Sequence, residues 1–564
     1  MDHGQASAVF TKPRLQLVAW VIACIAALGL GIHISQYEGG AIDILFTVAV
    51  ICMTGALVAF ASRRPLFALV FTTALVAIIF AISKAKQESM NMVLHAYDII
   101  FYFSSWSTVS FLIESYRSYA VGLVVGLTAV IAVSVLAYRI DGARLRRSSS
   151  AIAAAGFAIV TLVAASARDE RQDGSYFFDD RYVSSFFSSL SETFAVIWRG
   201  NLVEAASFAP GPTFTMPATC RLATPPPNII LIHQESAVPP SHFPQLAYDR
   251  RIDPFFRSFD GKLHKLGVET YAGASWLTEF SVLTGLSSHS FGGMRPFVQT
   301  VMAGKLHDTL PQVLDRCGYY NLLVYPMLRN FVSNARFYDK VGIHKILDAK
   351  DQNVTRDNER DRFYYANALA EMERNFALSP KPMFVYILTQ ASHGDYDFTY
   401  MPEVSVAGGG AGTDPGVHEY LRRIGMAAMD YDFLKAELSR RFPGRPFLIA
   451  NYGDHQPAVT RGLLGSTKYS GILSVDRHPA AFSTYYSVDT VGYQPPALPA
   501  LDQVDVPYLG TILLEAARLP LPDSYRERKR LMWLCNGSYH GCIHKADIMT
   551  FHRRLMNSGL MDPL

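Results

Sequence analysis

The first 167 residues alternate long apolar runs with short polar breaks. The runs lie at about 15–34, 41–62, 66–83, 119–137 and 151–167, each near the ~20 residues that carry an α-helix across a bilayer. This pattern predicts five membrane-spanning helices and a transmembrane domain over residues 1–168. The stretch Ala96–Ile113 is also apolar, but it carries Asp98 and several serines and reads as an interfacial or re-entrant piece. Basic residues collect in alternate breaks. Lys12 and Arg14 precede the first run, Arg63 and Arg64 separate the second from the third, and Arg139, Arg144, Arg146 and Arg147 separate the fourth from the fifth. Lysine and arginine are retained on the cytoplasmic side, so five spans that start inside end outside. The expected place is the inner membrane of a bacterium, with the rest of the chain extracytoplasmic. Lys84 and Lys86 run against this arrangement. The first run is longer than the apolar region of a secretory signal and more spans follow, so an uncleaved anchor is expected.

Beyond the last run the pattern changes twice. Residues 169–227 mix polar and aromatic positions, with the large apolar groups of SSFFSSLSETFAVIW at helical spacing. They read as a connector lying along a membrane surface, closed by Pro225, Pro226 and Pro227. From Asn228 onward short apolar runs alternate with helical stretches, which predicts a mainly parallel sheet covered by helices on both faces. The candidate strands are Ile229–His233, Asn321–Tyr325, Phe384–Thr389 and Phe447–Asn451. Glu235 follows the first, Tyr325 and Pro326 end the second, His393 follows the third, and Asp454 and His455 follow the fourth. Ligands of open α/β sheets gather outside the carboxyl ends of the strands, so these groups are expected to converge. The catalytic domain is placed at 228–464, with 465–564 as a smaller C-terminal part that completes it.

Composition narrows the reading. At 564 residues the chain is too long for one core. Half of it is apolar, 18% is charged and the net charge is +3, without basic clusters interleaved with aromatics, so a nucleic-acid partner is excluded. Cys24 and Cys52 fall in apolar runs, which leaves four cysteines for the soluble part. An even number suits disulfides in an oxidising compartment. Cys535 and Cys542 would close a short loop and Cys220 and Cys317 would form the other pair, free buried thiols being the alternative.

Glu235, Asp454 and His455 offer two carboxylates and an imidazole, a donor set suited to one divalent metal such as Mn²⁺ or Zn²⁺. Taken singly, each carboxylate reads equally as a helix cap or a surface charge. The segment Gly273–Leu286 supplies hydroxyls. It reads as a strand ending near Ala272 that turns into a helix with Ser275 at its N-terminus, where N–H groups and the helix dipole favour a phosphate or an alkoxide. An ordinary N-cap is the alternative for Ser275.

The strings NIILIHQES, SWLTEFSVLTGL, HGDY and GDHQP together resemble the alkaline-phosphatase superfamily. More narrowly they resemble its sulfatase-like membrane transferases: lipoteichoic acid synthase, the phosphoglycerol transferases of periplasmic glucans and, more distantly, phosphoethanolamine transferases. The resemblance implies an alkaline-phosphatase-like α/β domain behind the five helices, with Glu235, a hydroxyl near 275, Asp454 and His455 holding the metal. Family spacings to the Thr-Gly pair at 284 and to the Glu-Phe pair at 279 both point to Ser275 as nucleophile, with Thr278 as the alternative or as a supporting hydroxyl. His393 corresponds to a histidine that contacts the transferred phosphate. A sulfatase requires a proline and an arginine after its nucleophile, and Leu277 and Glu279 stand there instead. FVSNARFYDKVG resembles the synthase segment that carries a tryptophan and an arginine for glycerol phosphate, but has Val332 and Asn334 at those places. Asn334, Arg329 and Arg336 are the remaining candidates for binding substrate. The implied reaction is transfer of a phosphoglycerol or phosphoethanolamine head group from a phospholipid donor to a periplasmic or cell-surface glycan or lipid acceptor. A phosphoserine intermediate is implied, and a hydrolase that passes it to water is the alternative.

Overall fold

In the computed structural model, residues 12–90, 92–102, 106–167, 181–200, 202–215, 220, 222, 225–329, 334–356, 358–464 and 479–563 are described. The chain forms two compact units, Met1–Ala195 and Val196–Leu564.

The first unit contains helices α1 (Lys12–Ser35), α2 (Ala41–Ser62), α3 (Pro65–Met90), α4 (Ala96–Tyr102), α5 (Trp106–Ser115), α6 (Arg117–Ile140) and α7 (Arg147–Ala167). Five of them, α1, α2, α3, α6 and α7, are long and apolar enough to cross a membrane. The polar breaks do structural work. Asp141 Oδ2 accepts from the backbone N–H groups of Leu66 and Phe67 at 2.7 and 3.1 Å and so caps the start of α3. The Arg64 guanidinium lies over the Tyr138 ring and donates to the Asp141 carbonyl at 2.7 Å.

The stretch 96–113 gives two short helices, with residues 103–105 outside the described ones. Its Asp98 is buried and accepts from Lys86 Nζ with both carboxylate oxygens at 2.8 Å. The basic residue that contradicts the charge pattern is therefore neutralised inside the protein, while Lys84 reaches over the Tyr37 ring. On the same unit Glu38 accepts from the N–H groups of Val183 and Ser184, capping α8 (Ser184–Arg199), and Arg181 pairs with Asp43 at 3.2 Å. Of the connector expected at 169–227, residues 169–180, 201, 216–219, 221, 223 and 224 lie outside the described residues.

The second unit is built on one eight-stranded sheet, whose order is β4-β3-β5-β1-β6-β7-β2-β8. Its strands are β1 (Asn228–Gln234), β2 (His264–Gly267), β3 (Tyr320–Val324), β4 (Lys345–Leu347), β5 (Met383–Leu388), β6 (Phe447–Gly453), β7 (Ser483–Val491) and β8 (Gln503–Asp505). The pairs from β4 through β6 are parallel, and β7 pairs antiparallel with both β6 and β2. β1, β5 and β6 are buried along their whole lengths, which is why they read as unbroken apolar runs. On one face Ile230, Ile232, Val385 and Ile449 pack under α13 (Asp361–Leu378) and α14 (Pro415–Arg441). The remaining helices are α9 (Ser275–Thr284), α10 (Val298–Met302), α11 (Leu310–Arg316), α12 (Asn334–Lys340), α15 (Leu509–Ala516), α16 (Asp523–Leu534) and α17 (Lys545–Asn557). The strand expected to end near Ala272 stops at Gly267. Residues 268–274 leave the sheet because Ala272, Gly273 and Ala274 all take positive φ, at 58°, 146° and 62°, which no strand accommodates.

Disulfides join Cys220 to Cys317, at the end of α11, and Cys535 to Cys542, after α16. Residues 202–215 run along α17: Ala206 N–H bonds the Met549 carbonyl at 3.0 Å, and Arg554 donates to the Pro212 carbonyl at 2.8 Å. His552 is buried between them, its Nδ1 donating to the Glu204 carbonyl at 2.5 Å, so its Nε2 accepts from the Tyr539 hydroxyl at 2.8 Å.

Two outcomes test these contacts. Removing one partner of a buried ion pair strands the other, at a cost of about 3–5 kcal/mol. Asp98→Ala should therefore lower the melting temperature of the detergent-solubilised protein sharply, and the Lys86→Met/Asp98→Leu pair should recover most of the loss. Additive losses would show that the charges do not depend on each other. Burial pushes the His552 imidazole down to about 4 from an ordinary 6.5. The unfolded chain takes up this proton at higher pH than the folded one. Stability is thus full above pH 6.5 and falls as pH drops toward 4, by at most about 3 kcal/mol. His552→Gln should flatten the fall of melting temperature between pH 7 and 5, and an unchanged slope would remove His552 from the account.

Candidate active site

The parallel register of β1 and β6 sets Gln234 opposite Gly453. One step further, Glu235 and Asp454 leave the sheet side by side. Gly453 is required here, because a Cβ at that position would lie 1.9 Å from the Ala237 carbonyl oxygen as the chain turns over the strand end. Asp454 is fully buried, and its Oδ1 accepts from the backbone N–H groups of Ser236 and His455, both at 2.8 Å. That fixes the carboxylate and turns Oδ2 inward. Oδ2 lies 3.3 Å from His455 Nε2 and 3.0 Å from His233 Nε2, yet neither contact is aligned as a hydrogen bond. Glu235 Oε1 lies 3.4 Å from the same His455 nitrogen.

Ser275 is the first residue of α9. The helix is capped by Ala274 in the left-handed conformation, without a side-chain cap, so the Ser275 hydroxyl does not serve as an N-cap. Instead Oγ donates to Glu235 Oε2 at 3.3 Å and stands 3.3 Å from His455 Nε2. The consecutive positive φ values just before it aim this hydroxyl, and strain of this kind collects at functional sites. One turn on, Thr278 is buried and donates to the Asp454 carbonyl at 2.9 Å, facing away from open space.

The donor set fits a metal ion. His455 Nδ1 faces the Gln456 carbonyl at 3.0 Å and donates to it, which turns Nε2 toward both carboxylates. Two buried carboxylates converging on one imidazole leave excess negative charge that a cation among them would offset. Ser275 Oγ lies 3.3 Å from Glu235 Oε2 and from His455 Nε2, and that nitrogen lies 3.4 Å from Glu235 Oε1 and 3.3 Å from Asp454 Oδ2, a mixed oxygen and nitrogen set of the kind a divalent ion takes. His233, Glu235 and Asp454 also offer three ligand atoms within 4.8 Å of one another.

Several neighbours escaped the sequence reading. Burial by itself pushes the His233 imidazole down, but the charges of Asp454, Glu279 and Glu235 outweigh it and raise it to about 9. His233 is fixed from below by the Tyr452 hydroxyl at 3.1 Å, itself bonded to Tyr386 at 2.8 Å. Glu279 is buried, which raises its carboxyl, and accepts from Tyr338 and Gln299. Burial opposes the charge on Asp454, yet the adjoining His455 and His233 hold its carboxyl well below the carboxylate range. Two spacings carried the signal: His233 stands two residues before Glu235 at the end of β1, and Ser275 and Glu279 share one face of a helix at i and i+4.

His393 stands on the loop after β5, next to β1 in the sheet, with its side chain exposed. Its loop is clamped by Arg423, a fully buried side chain of α14 that donates to the His393 carbonyl at 2.6 Å and the Asp395 carbonyl at 2.8 Å and ion-pairs with Glu419 at 3.0 Å. Among the described residues no hydrogen bond or ion pair joins His393 to the Glu235–Asp454 group. Arg329 spends its guanidinium on Asp339, at 3.1 Å on the surface. Arg336 is exposed on α12, and the side chain of Asn334 lies outside the described residues.

Residues 227–496 match the Sulfatase family. The matched stretch is just under half of this chain. A protein of Haemophilus influenzae, described as uncharacterized, is 25% identical over 258 residues, which are 42% of this chain and 45% of that protein. The chain thus matches less than half the length of that curated relative. Among solved structures, the Streptococcus pyogenes phosphoglycerol transferase GacH in complex with sn-glycerol-1-phosphate is 16% identical, covers 61% of this chain and 88% of its own, and has a TM-score of 0.48. The integral membrane lipooligosaccharide phosphoethanolamine transferase A of Neisseria meningitidis is 12% identical, covers 88% of this chain and 97% of its own, and has a TM-score of 0.46. The periplasmic domain of EcEptC from Escherichia coli, in complex with Zn, is 13% identical over 56% of this chain and 88% of its own, with a TM-score of 0.40.

The full chain should purify with one divalent metal per molecule. Asp454→Asn and Glu235→Gln should each lose most of it, about 10-fold or more in affinity, as measured by elemental analysis of the full chain after dialysis. Equal metal content in parent and variants would remove these residues from the ligand set.

Proposed function

We propose that this chain moves a phospho-alcohol head group, phosphoglycerol or phosphoethanolamine, from a membrane phospholipid to a periplasmic or cell-surface glycan or lipid. The observation that carries the reading is the Ser275 hydroxyl, held at the head of α9 between Glu235 and His455. The two head groups are those named for the solved transferases above. The chain is read as a multi-pass protein of the bacterial inner membrane with the sulfatase domain outside the cytoplasm, an orientation supported by the basic residues of the alternate loops.

In this reading Glu235, Ser275, Asp454 and His455 hold one divalent ion, Mn²⁺ or Zn²⁺. When bound, such an ion lowers the pKa of a coordinated hydroxyl and offsets charge on a phosphoryl oxygen. The chain's own groups do the rest. Ser275 Oγ attacks the phosphorus of the donor, and its proton has an acceptor in place, the Glu235 carboxylate. The head of α9 faces the donor phosphate in this reading, and the helix dipole favours the charge of the phosphoryl oxygens. The bond from phosphorus to the diacylglycerol oxygen breaks, and His393 supplies the proton that this oxygen takes up. A phosphoserine diester remains. The acceptor hydroxyl then gives its proton to His393 and attacks the same phosphorus, the bond to Ser275 breaks, and the serine takes its proton back from Glu235. Thr278 fixes the Asp454 backbone and takes no part in bond making. The departures from the sulfatase nucleophile context argue against sulfate ester hydrolysis: Glu279, where an arginine would stand, is bonded to Tyr338 and Gln299.

The test is diacylglycerol release by the detergent-solubilised full chain, supplied separately with phosphatidylglycerol and phosphatidylethanolamine. One lipid should be consumed, and Ser275→Ala should reduce release by about 10³-fold or more, while Thr278→Val keeps measurable turnover. Release that stays constant when acceptor is withheld would point to a hydrolase, and a Ser275→Ala protein as active as the parent would overturn the assignment.

A further inference from the structure

Away from the acidic Ser275 centre, the second unit gathers positive charge around one hollow. A hollow of about 550 Å³ is walled by Lys305, His307, Arg336 and Lys340, with Asp562 as the sole acidic side chain on its rim. Asp562 is engaged by His307 at 3.3 Å. Among the described residues no carboxylate lies within ion-pair distance of Lys305, Arg336 or Lys340. Elsewhere in this unit several cations do have carboxylate partners: Arg316 pairs with Asp308, Arg360 and Arg362 share Asp430, and Arg374 pairs with Glu371.

These cations are held together by the backbone. Gln312 Nε2 donates to both the Leu306 and the Lys340 carbonyls, at 3.0 and 3.1 Å, tying one wall to the other. The Thr309 hydroxyl bonds the Val341 carbonyl at 2.6 Å. The C-terminal strand-like segment closes a third side, with Asp562 N–H on the Lys305 carbonyl and His307 N–H on the Leu560 carbonyl, both at 2.9 Å. Gly304 leaves room for the Lys340 stem, whose methylenes lie 3.7–3.8 Å from where a Cβ at 304 would stand. Lys305 is partly buried, and Arg336 and Lys340 are exposed at the mouth of the hollow. Arg336 and Lys340 are four residues apart on one helix face, a like-charge spacing that disfavours the helix. A rigid frame that concentrates unpaired cations at such cost is relieved by a bound anion, and a guanidinium beside ammonium groups suits the several oxygens of a phosphate.

We propose that this hollow is a second anion site, separate from Ser275, that binds a phosphate ester. Arg336, which the sequence reading assigned to the substrate phosphate, serves this site. The ester is either a soluble phospho-alcohol or the head group of an anionic lipid, and the two sources share the same recognition chemistry. The site does not depend on the reaction at Ser275.

The experiment uses the full chain in phosphatidylcholine nanodiscs, stripped of metal with chelator so that the Ser275 centre does not contribute, and titrated with sn-glycerol phosphate by calorimetry. The parent should bind with a dissociation constant at or below about 1 mM, weakening as salt is raised. Lys305→Met/Lys340→Met should weaken binding at least 10-fold, and Asp562→Asn, which removes the opposing charge, should tighten it. Nanodiscs carrying phosphatidylglycerol distinguish the source: loss of glycerol phosphate binding in them identifies the lipid head group, and unchanged binding identifies a soluble ester. No binding by the parent, or equal binding by the doubly substituted protein, overturns the proposal. Because metal-stripped protein is used, either result leaves the head-group transfer reading to its own assay.

Discussion

The second unit is organised by the register between two parallel strands. β1 and β6 lie side by side at the centre of the sheet, and their pairing carries Glu235 and Asp454 to the same edge at the same height. Two adjacent buried carboxylates repel, and the fold answers with backbone N–H groups on Asp454 Oδ1 and with imidazoles on either side. The tight crossing at Gly453, the left-handed turn before Ser275 and the bond from Thr278 to the Asp454 carbonyl all serve to keep this charged group in one arrangement. Because the sheet core beneath it is apolar and closely packed, the group has little freedom to relax, and its remaining inward-facing oxygens and nitrogen are left for a cation.

A comparable economy governs the membrane unit. An unpaired lysine in apolar surroundings is costly, and Lys86 occupies a buried position only because Asp98 comes back to meet it from the following segment. The same pairing explains why the stretch 96–113 is not a sixth span. Its helices are short, and its one acidic residue is turned inward against α3. Charge patterning thus had an apparent exception that was a pair, visible only once two segments separated by a break were brought together.

Positioning of the loops follows from buried arginine and tyrosine groups more than from the loops' own sequences. Arg423 holds the 393–395 backbone and lies over the rings of Tyr396, Phe398 and Tyr400 at 4.9–5.3 Å. Tyr452 and Tyr386 form a hydrogen-bonded floor under His233. Such side chains read as ordinary helix or strand residues when taken along the chain, since nothing in local spacing marks a contact that spans dozens of residues.

What the sequence determined by itself was set by periodicity and length. Apolar runs of bilayer length gave the five membrane helices, and unbroken apolar strands alternating with helical stretches gave a two-sided, mainly parallel sheet. Polar residues directly after strands marked the edge where Glu235, Asp454 and His455 meet, because strand ends in such sheets share one side. The tertiary structure alone decided the rest. It showed that Ser275 faces Glu235 and His455 instead of capping its helix, that His233 and Glu279 lie in the same charged group, and that the strand before Ser275 ends at Gly267. It also placed Arg329 on Asp339 and Arg336 beside Lys305 and Lys340. Each of these depends on distances between segments far apart in sequence, which hydrophobic pattern and local spacing do not encode.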